Sequence, residues 1–189
     1  MQTFTLSKDI NSPEFTFPRL IGLTGPKGMG KTTFANRIGG EILSLSTPIK
    51  QMLELIVPKI YIYEEKEQQI PGFPDGITAR VLMQRLGTEF GRACYPEIWV
   101  NHTKIEANRR IKAFEAVGLQ SARVIVDDIR FKNEADMVHD LGGEVWKLKR
   151  ENYLPKEDDH SSENGLPEEL IDKEIIIDDY KDATADTTA

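Results

Sequence analysis

The chain has 189 residues and 39% hydrophobic content, which suits one domain with a substantial core, with or without an inserted lid, and excludes a disordered protein. Its 24 basic and 31 acidic residues give a formal net charge of −7, which argues against wrapping of a nucleic-acid backbone, and no apolar stretch approaches the roughly 20 residues of a membrane helix. The single cysteine, Cys94, excludes an internal disulfide and a cysteine-based metal cluster, so we expect a cytoplasmic location.

The first half of the chain predicts one strand, two helices and a loop. Residues 1–18 alternate weakly between apolar and polar side chains and are expected to form an N-terminal arm or an edge hairpin. The segment RLIGLT, residues 19–24, is typical of a short buried strand that glycine-rich sequence ends. Apolar spacing predicts helices over 32–43 and 48–57, and the polar stretch 61–76, rich in Pro and Gly, predicts a mobile loop.

The second half alternates helices with strands. The predicted elements are helices over 78–91, 97–117 and 133–141, and buried strands over 123–127, 144–149 and 175–178. The polar stretch 151–167 has the composition of a small mobile lid, and residues 181–189 predict a flexible tail. The alternation predicts an α/β fold over residues 19–180, a three-layer parallel sheet with helices on both faces.

A glycine-rich loop follows the first strand. Its sequence GPKGMGKT matches the pattern G-x-x-x-x-G-K-[ST] of the P-loop, with a strand before it and a helix after it. Glycines let successive backbone amides converge on phosphate oxygens, and the following helix adds the positive end of its dipole. The lysine reaches the β and γ phosphates, and the threonine hydroxyl is a ligand for Mg²⁺. The predicted nucleotide-binding residues are Gly25, Lys27, Gly28, Met29, Gly30, Lys31, Thr32 and Thr33, with Thr32 as the metal ligand.

Four uses of a bound triphosphate compete: a small-molecule kinase, a GTPase switch, a mechanical ATPase and a nucleotide-sensing regulator. A GTPase needs an N/T-K-x-D element, and the nearest segment, Thr103 to Glu106, ends in the wrong acid. A mechanical ATPase usually needs more chain. A kinase needs cations that hold the acceptor and neutralise the transferred group, so arginines outside the loop become the candidates.

Two segments offer such cations. The helix predicted over 78–91 has two stripes of side chains about four residues apart, a core stripe of Leu82, Leu86 and Phe90 and a second stripe of Arg80, Gln84, Gly87 and Gly91. Arginine, an amide and glycines on one face suit a ligand surface, and they equally suit a solvent-facing side with glycines used for helix packing. The spacing of these residues is compatible with both a ligand surface and a solvent-facing side.

The strand predicted over 123–127 is followed by a second candidate pair. In extended chain Asp128 and Arg130 point to one side and Asp127 to the other. The acid could hold Mg²⁺ through water or accept a hydrogen bond from the substrate, and the arginine could clamp a phosphate. The alternative is an ion pair that only ties the strand end to the next helix.

An ordered set of segments resembles the bacteriophage deoxynucleoside monophosphate kinases, within the P-loop nucleoside monophosphate kinase group. These segments are RVLMQRLGTEF at 80–90, IW at 98–99, VIVDDIRFKNEAD at 124–136, LGGEVWKLKR at 141–150 and DDHSSENGLP at 158–167. The resemblance spans residues 20 to about 178 and implies a P-loop NTPase fold. It further implies direct in-line transfer of a phosphoryl group from ATP, with Mg²⁺, to a deoxynucleoside monophosphate.

The resemblance also implies roles for individual residues. Lys31, Arg130, Asp128 and Arg80 would be catalytic, and Arg150 would belong with 160–163 to a lid over ATP. The acceptor would be bound by Lys27, Lys50, Arg80, Gln84, Asp128 and Arg130. A bacteriophage source would place the protein in the host cytoplasm, with small nucleotides and no nucleic acid or membrane as partners; a homodimer is left open. The rivals are a P-loop kinase for dephospho-coenzyme A or a nucleoside, and a non-catalytic nucleotide-responsive binding protein.

Overall fold

A six-stranded sheet organises the chain in this computed structural model, in the order β1-β6-β5-β2-β4-β3. The strands are β1 (Gln2–Thr5), β2 (Leu20–Thr24), β3 (Glu41–Ser44), β4 (Val124–Asp127), β5 (Glu144–Arg150) and β6 (Lys173–Ile177). The helices are α1 (Lys31–Ile38), α2 (Thr47–Leu53), α3 (Lys59–Tyr63), α4 (Ala79–Gln84), α5 (Ile98–Ala116) and α6 (Lys132–Asp140). The structure describes residues 2–6, 10, 12, 15–26, 28–150 and 166–178.

The chain forms two compact units. One contains Met1–Ile42 with Arg110–Ala189, and the other contains Leu43–Arg109. In the first unit, β2 is paired in parallel with β4 on one side and with β5 on the other. Parallel pairing continues from β5 to β6 and from β6 to β1, so the carboxyl ends of these strands share one edge of the sheet. Ligands of open α/β sheets bind beyond that edge.

Helices cover both faces of this sheet, as the alternation of elements predicts. Ile21 and Leu23 of β2 lie in one core cluster with Phe34 of α1. Gly22 points to the opposite face, because side chains alternate along a strand, and a Cβ there would lie 3.0 Å from Cγ2 of Val138 in α6. The missing side chain therefore lets α6 pack closely on β2, and the three-layer α/β prediction is confirmed.

The N-terminal segment adds a strand to the edge of the sheet, and among its described residues the pairing is parallel, unlike that of the expected hairpin. Strand β1 runs parallel to β6, and the amide of Leu6 donates to the carbonyl oxygen of Ile176 at 2.9 Å. Phe15 is buried, and its ring lies 4.9 Å from the ring of Phe4 and 5.5 Å from that of Trp146. The few apolar residues before residue 18 thus close one end of the main core, which their weak alternation did not predict.

The helix predicted over 32–43 is wrong in its second half. Helix α1 ends at Ile38, and Gly39 follows with a φ of 68°, in the left-handed region that glycine adopts freely. The chain then enters β3, where the amide of Glu41 donates to the carbonyl oxygen of Arg123 at 2.9 Å. The adjacent Gly39 and Gly40 mark the end of the helix, and the helical spacing of apolar residues continues past them to Ile42 by chance.

The second unit has its own apolar core and a tightly bonded loop. Its core consists of Leu53, Val57, Ile62, Ile70 and Ala79. The stretch predicted as a mobile loop begins with helix α3 and continues as a turn closed by one side chain. The amide group of Gln69 donates to the carbonyl oxygens of residues 70, 73 and 74 and accepts from the amide of residue 76 at 2.9 Å. Composition predicted the irregular backbone, but not this internal bonding.

Candidate active site

The glycine-rich loop leaves β2 at the carboxyl edge of the sheet and leads into α1. Gly25 has a φ of 136°, and a Cβ there would lie 2.8 Å from the carbonyl oxygen of Leu148 in β5. Only glycine fits this approach of two backbones. Gly30 caps α1 in the left-handed conformation, with a φ of 86°. The glycine spacing therefore serves a strand-to-helix turn of the geometry that a phosphate cradle needs.

The predicted nucleotide-binding residues differ in exposure: one side chain is buried in the core, and others are open to solvent. Met29 is only 2% exposed and packs in the main core, so its side chain anchors the loop and is not a ligand contact. Thr32 and Thr33 are exposed in the first turn of α1, where their hydroxyls are accessible to a ligand. Lys27, predicted to bind both nucleotides, lies outside the described residues.

Lys31 is held over the loop by three oxygens. Its Nζ donates to the carbonyl oxygens of Gly25 at 2.6 Å and Pro26 at 3.0 Å, and it lies 3.2 Å from Oδ1 of Asp128. Its side chain is 12% exposed. The ends of β2 and β4 therefore bring the loop lysine and the acid together, as parallel strands predict.

Asp128 and Arg130 form a two-point ion pair. Oδ2 of Asp128 lies 2.7 Å from Nη2 of Arg130 and accepts a hydrogen bond from its Nε at 2.9 Å. The backbone between them is not extended as predicted. Asp128 has a φ of 61° and is the one residue other than glycine with a positive φ in the part of the chain that the structure describes. Such conformations cost energy and cluster at functional sites.

The cations around Asp128 control its ionisation. Partial burial raises the pKa of the Asp128 carboxyl. The hydrogen bond from Arg130 and the charges of Lys31 and Arg130 lower this pKa by more than burial raises it. The net pKa is below its usual range. Asp128 is therefore a carboxylate at neutral pH, available to coordinate a cation or to accept a hydrogen bond.

Sequence reasoning missed Glu134. This residue is buried at the third position of α6, and its Oε2 accepts hydrogen bonds from the amides of Arg130 at 2.8 Å and Phe131 at 3.1 Å. A glutamate at the third helical position that bonds back to the helix start is a known capping pattern. A glutamate three residues after Phe131, the residue that precedes the helix, was the signal in the sequence for this cap.

Arg150 ends β5 at the same edge. A Cβ built on Gly30 would lie 3.9 Å from its Nη2, so the guanidinium stands beside the phosphate loop. The role of Arg150 in a lid over ATP stays a prediction. The predicted lid, 151–167, falls outside the described residues up to position 165, and so does the predicted tail, 181–189.

The other predicted acceptor residues belong to the second unit. The Nε of Arg80 lies 2.8 Å from Oε1 of Glu67. Lys50 is half-buried, and its Nζ stands 5.8 Å from the centroid of the Tyr63 ring. Gln84 is exposed at the last position of α4. Their meeting with the residues of the first unit stays a prediction.

Two members of the second stripe, Gly87 and Gly91, serve helix packing. Both glycines are buried in a π-helical segment, Arg85–Arg92, and a Cβ on Gly91 would collide with the indole of Trp99. The Trp99 Nε1 donates to the carbonyl oxygen of Gly87 at 2.8 Å. The two glycines therefore serve helix packing, which is one of the two interpretations that the spacing left open, and Trp99 is a core residue. The π-helix breaks the spacing of four, because its hydrogen bonds reach one residue further, and Phe90 is 57% exposed.

Cys94 and His139 are two further side chains with reactive groups. Cys94 is exposed as a free thiol. The Nε2 of His139, in α6, lies 2.9 Å from Oδ2 of Asp172. Among the described residues no helix is long and apolar enough to cross a membrane.

The residues at the loop fit a triphosphate and a hard cation. Positive φ values at Gly25, Gly28 and Gly30 give the backbone its cradle shape. Oxygen ligands are what Mg²⁺ takes, and the Thr32 hydroxyl and the Asp128 carboxylate supply them. No cluster of three His, Cys, Asp or Glu side chains suited to a metal occurs in the described part of the chain. A metal here would share its coordination with phosphate oxygens and water.

Comparison with known proteins gives the family. Residues 57–184 match the deoxynucleotide monophosphate kinase family. A protein of Acanthamoeba polyphaga mimivirus assigned as a deoxynucleotide monophosphate kinase is 32% identical over 157 residues, which cover 76% of this chain and 80% of the relative. A dephospho-CoA kinase from Campylobacter jejuni shares 15% identity over 87% of this chain and 90% of its own, with a TM-score of 0.36, too low to bear on fold or substrate. The chain belongs to the deoxynucleotide monophosphate kinase family.

Proposed function

We propose that the protein transfers the γ-phosphoryl group of ATP, with Mg²⁺, directly to a deoxynucleoside monophosphate. The observation that carries this proposal is the chain of contacts from the phosphate loop through Lys31 and Asp128 to Arg130. It places two cations and one carboxylate at the loop that would hold the triphosphate. Family membership supports the choice of acceptor.

The donor side is built from the loop and α1. The loop amides and Lys31 would bind the β and γ phosphates, and Arg150 would add a second cation beside Gly30. Bound Mg²⁺ supplies charge neutralisation, and Thr32 and Asp128 are the residues that would hold it. The Lys31 ammonium group already contacts three oxygens, one for each of its N–H donors, so at least one of these contacts would be exchanged for a phosphate oxygen when the triphosphate binds.

The acceptor side is built around Arg130. Arg130 would grip the monophosphate, while Asp128 fixes the guanidinium through two hydrogen-bonding nitrogens. By family resemblance Lys27, Lys50, Arg80 and Gln84 would complete the acceptor site. An acceptor phosphate oxygen bonds to the γ-phosphorus as the bond from that phosphorus to the bridging oxygen breaks. Positioning and charge neutralisation provide the catalysis, without a covalent enzyme intermediate.

Turnover with a panel of acceptors tests this proposal. ADP release is measured with ATP, Mg²⁺ and each common deoxynucleoside monophosphate, then with ribonucleotides, dephospho-coenzyme A and nucleosides. We expect turnover with at least one deoxynucleoside monophosphate, loss of it in Lys31→Ala, and full turnover in the matched control Lys112→Ala, an exposed lysine on α5. Turnover only with dephospho-coenzyme A or nucleosides would favour the rival kinases. ATP binding without any turnover would favour a binding protein.

The proposal extends to source and compartment. The mimivirus relative and the sequence resemblance support a viral source, and a bacteriophage source stays a prediction. The single, reduced cysteine supports the host cytoplasm as the compartment. Gel filtration with light scattering would decide between a monomer and the homodimer that the sequence leaves open.

A further inference from the structure

The carboxylate of Glu134 is an unusual group to find buried. The residue is 3% exposed, and an ionised carboxylate is rarely buried without donors that compensate its lost hydration. One oxygen, Oε2, accepts the two amides of Arg130 and Phe131. Hydrogen bonds to a charged acceptor are stronger than neutral ones, so this carboxylate can fix the backbone it binds.

The backbone held by Glu134 is the turn that carries the acid of the site. The amide of Ile129 donates to the carbonyl oxygen of Leu23 at 2.8 Å, and the next two amides bind Glu134. Three consecutive amides after Asp128 are therefore fixed, one by β2 and two by α6. A left-handed aspartate costs energy and persists only where its surroundings enforce it.

We propose that Glu134 is a positioning residue for phosphoryl transfer, which holds the turn so that the Asp128 carboxylate lies between Lys31 and Arg130. This inference rests on the proposed function and adds a residue that contacts neither nucleotide. Without the two hydrogen bonds, Asp128 relaxes from its left-handed conformation and its carboxylate leaves the 3.2 Å contact with Lys31. The rival role is a helix cap that stabilises α6 and nothing more.

Two substitutions separate these roles. Glu134→Gln keeps an oxygen that can accept both amides, whereas Glu134→Ala removes the acceptor. We expect kcat to fall on the order of 10–100-fold in Glu134→Ala and to stay close to wild type in Glu134→Gln, because small misplacements of catalytic groups are costly. Glu134→Asp, with a shorter reach, serves if the alanine variant does not fold.

The matched control is Asp172→Ala. The Asp172 Oδ2 also accepts a backbone amide, that of Val145 at 2.7 Å, at the amino end of β5. We expect this variant to lose stability in urea denaturation while its kcat is unchanged. A Glu134→Ala protein that loses stability but keeps its kcat would be a simple cap, and the inference would fail. Equal loss of kcat in the glutamine and alanine variants would also refute the geometric role.

A second readout works even if the protein phosphorylates none of the acceptors. Crystal structures of the variants report the backbone of Asp128, with a φ of 61° in the wild type, and the 3.2 Å contact between its Oδ1 and Lys31. We expect both to be lost in Glu134→Ala and to be kept in Glu134→Gln and in Asp172→Ala. A Glu134→Ala structure that keeps the left-handed Asp128 and its contact with Lys31 would overturn the inference, whatever the activity.

Discussion

Asp128→Asn removes the charge at the centre of the site and keeps its shape. Asparagine accepts a positive φ, so the backbone at 61° should persist. The carboxylate makes charged contacts at 3.2 Å to Lys31 and at 2.7 Å to Arg130. In the closed, water-excluded complex, loss of one fixed charge costs on the order of 1.4–2.7 kcal/mol of transition-state stabilisation. We therefore expect kcat to fall on the order of 10–100-fold, since about 1.4 kcal/mol corresponds to tenfold.

The effect on stability should be smaller and should depend on pH. The Asp128 side chain is 39% exposed, so solvent screening keeps the loss below about 1 kcal/mol. Its pKa is lowered in the folded protein, so its stabilisation is complete above the unfolded value of about 3.9 and is lost as the pH falls through the folded value. The difference between wild type and Asp128→Asn should be constant from neutral pH to about pH 5 and shrink below it.

Backbone strain provides the control for this experiment. Alanine lacks the charge and also resists the left-handed region, which costs about 1–2 kcal/mol, whereas glycine does not resist it. Urea denaturation should rank Asp128→Gly above Asp128→Ala in stability. The reasoning fails if Asp128→Asn turns over at the wild-type rate, or if its stability difference grows as the solution is acidified.

Three other substitutions test separate parts of the molecule. Lys31→Ala should lower kcat on the order of 10²–10⁴-fold in steady-state assays; near-normal turnover would mean that the loop does not hold the triphosphate. Arg130→Ala should raise the KM of the acceptor more than the Kd of ATP measured by calorimetry, and an equal loss of ATP affinity would assign Arg130 to the other substrate. Gly91→Ala should destabilise the protein by about 1–3 kcal/mol in urea, because the new methyl group collides with the Trp99 indole. Trp99→Phe should relieve part of that loss, and strictly additive effects of the two changes would contradict the packing.

The sequence predicted the parts that depend on neighbouring residues. The phosphate loop was readable because glycine spacing and a following lysine are fixed by the short reach of backbone amides around a phosphate. Asp128 and Arg130 were readable because parallel strands bring their carboxyl ends to one edge. Helix α5 and the strands β2, β4 and β5 follow from long or strongly apolar runs.

The elements that were missed depend on partners far along the chain. Strand β1 is short and half-exposed, and only its pairing with β6 makes it a strand. Strand β3 has four residues, too few for alternation to outweigh the helical spacing before it. Gly91 is buried because its backbone packs against the indole of Trp99, eight residues later. The π-helix over Arg85–Arg92 has more residues per turn than an α-helix, so residues four apart do not line up on one face.

The site shows the same division. Residue types alone predicted that a glycine-rich loop with the P-loop pattern, an acid and an arginine lie at one edge of a sheet. Only the tertiary structure decided that Asp128 adopts a left-handed backbone, that its carboxylate bridges Lys31 and Arg130, and that Glu134 binds the turn behind it. Local sequence specifies which functional groups are present, because it fixes the hydrogen-bond donors, the acceptors and the length of each side chain. The geometry of that chemistry comes from backbone atoms on separate strands and helices, which meet only when the core has packed.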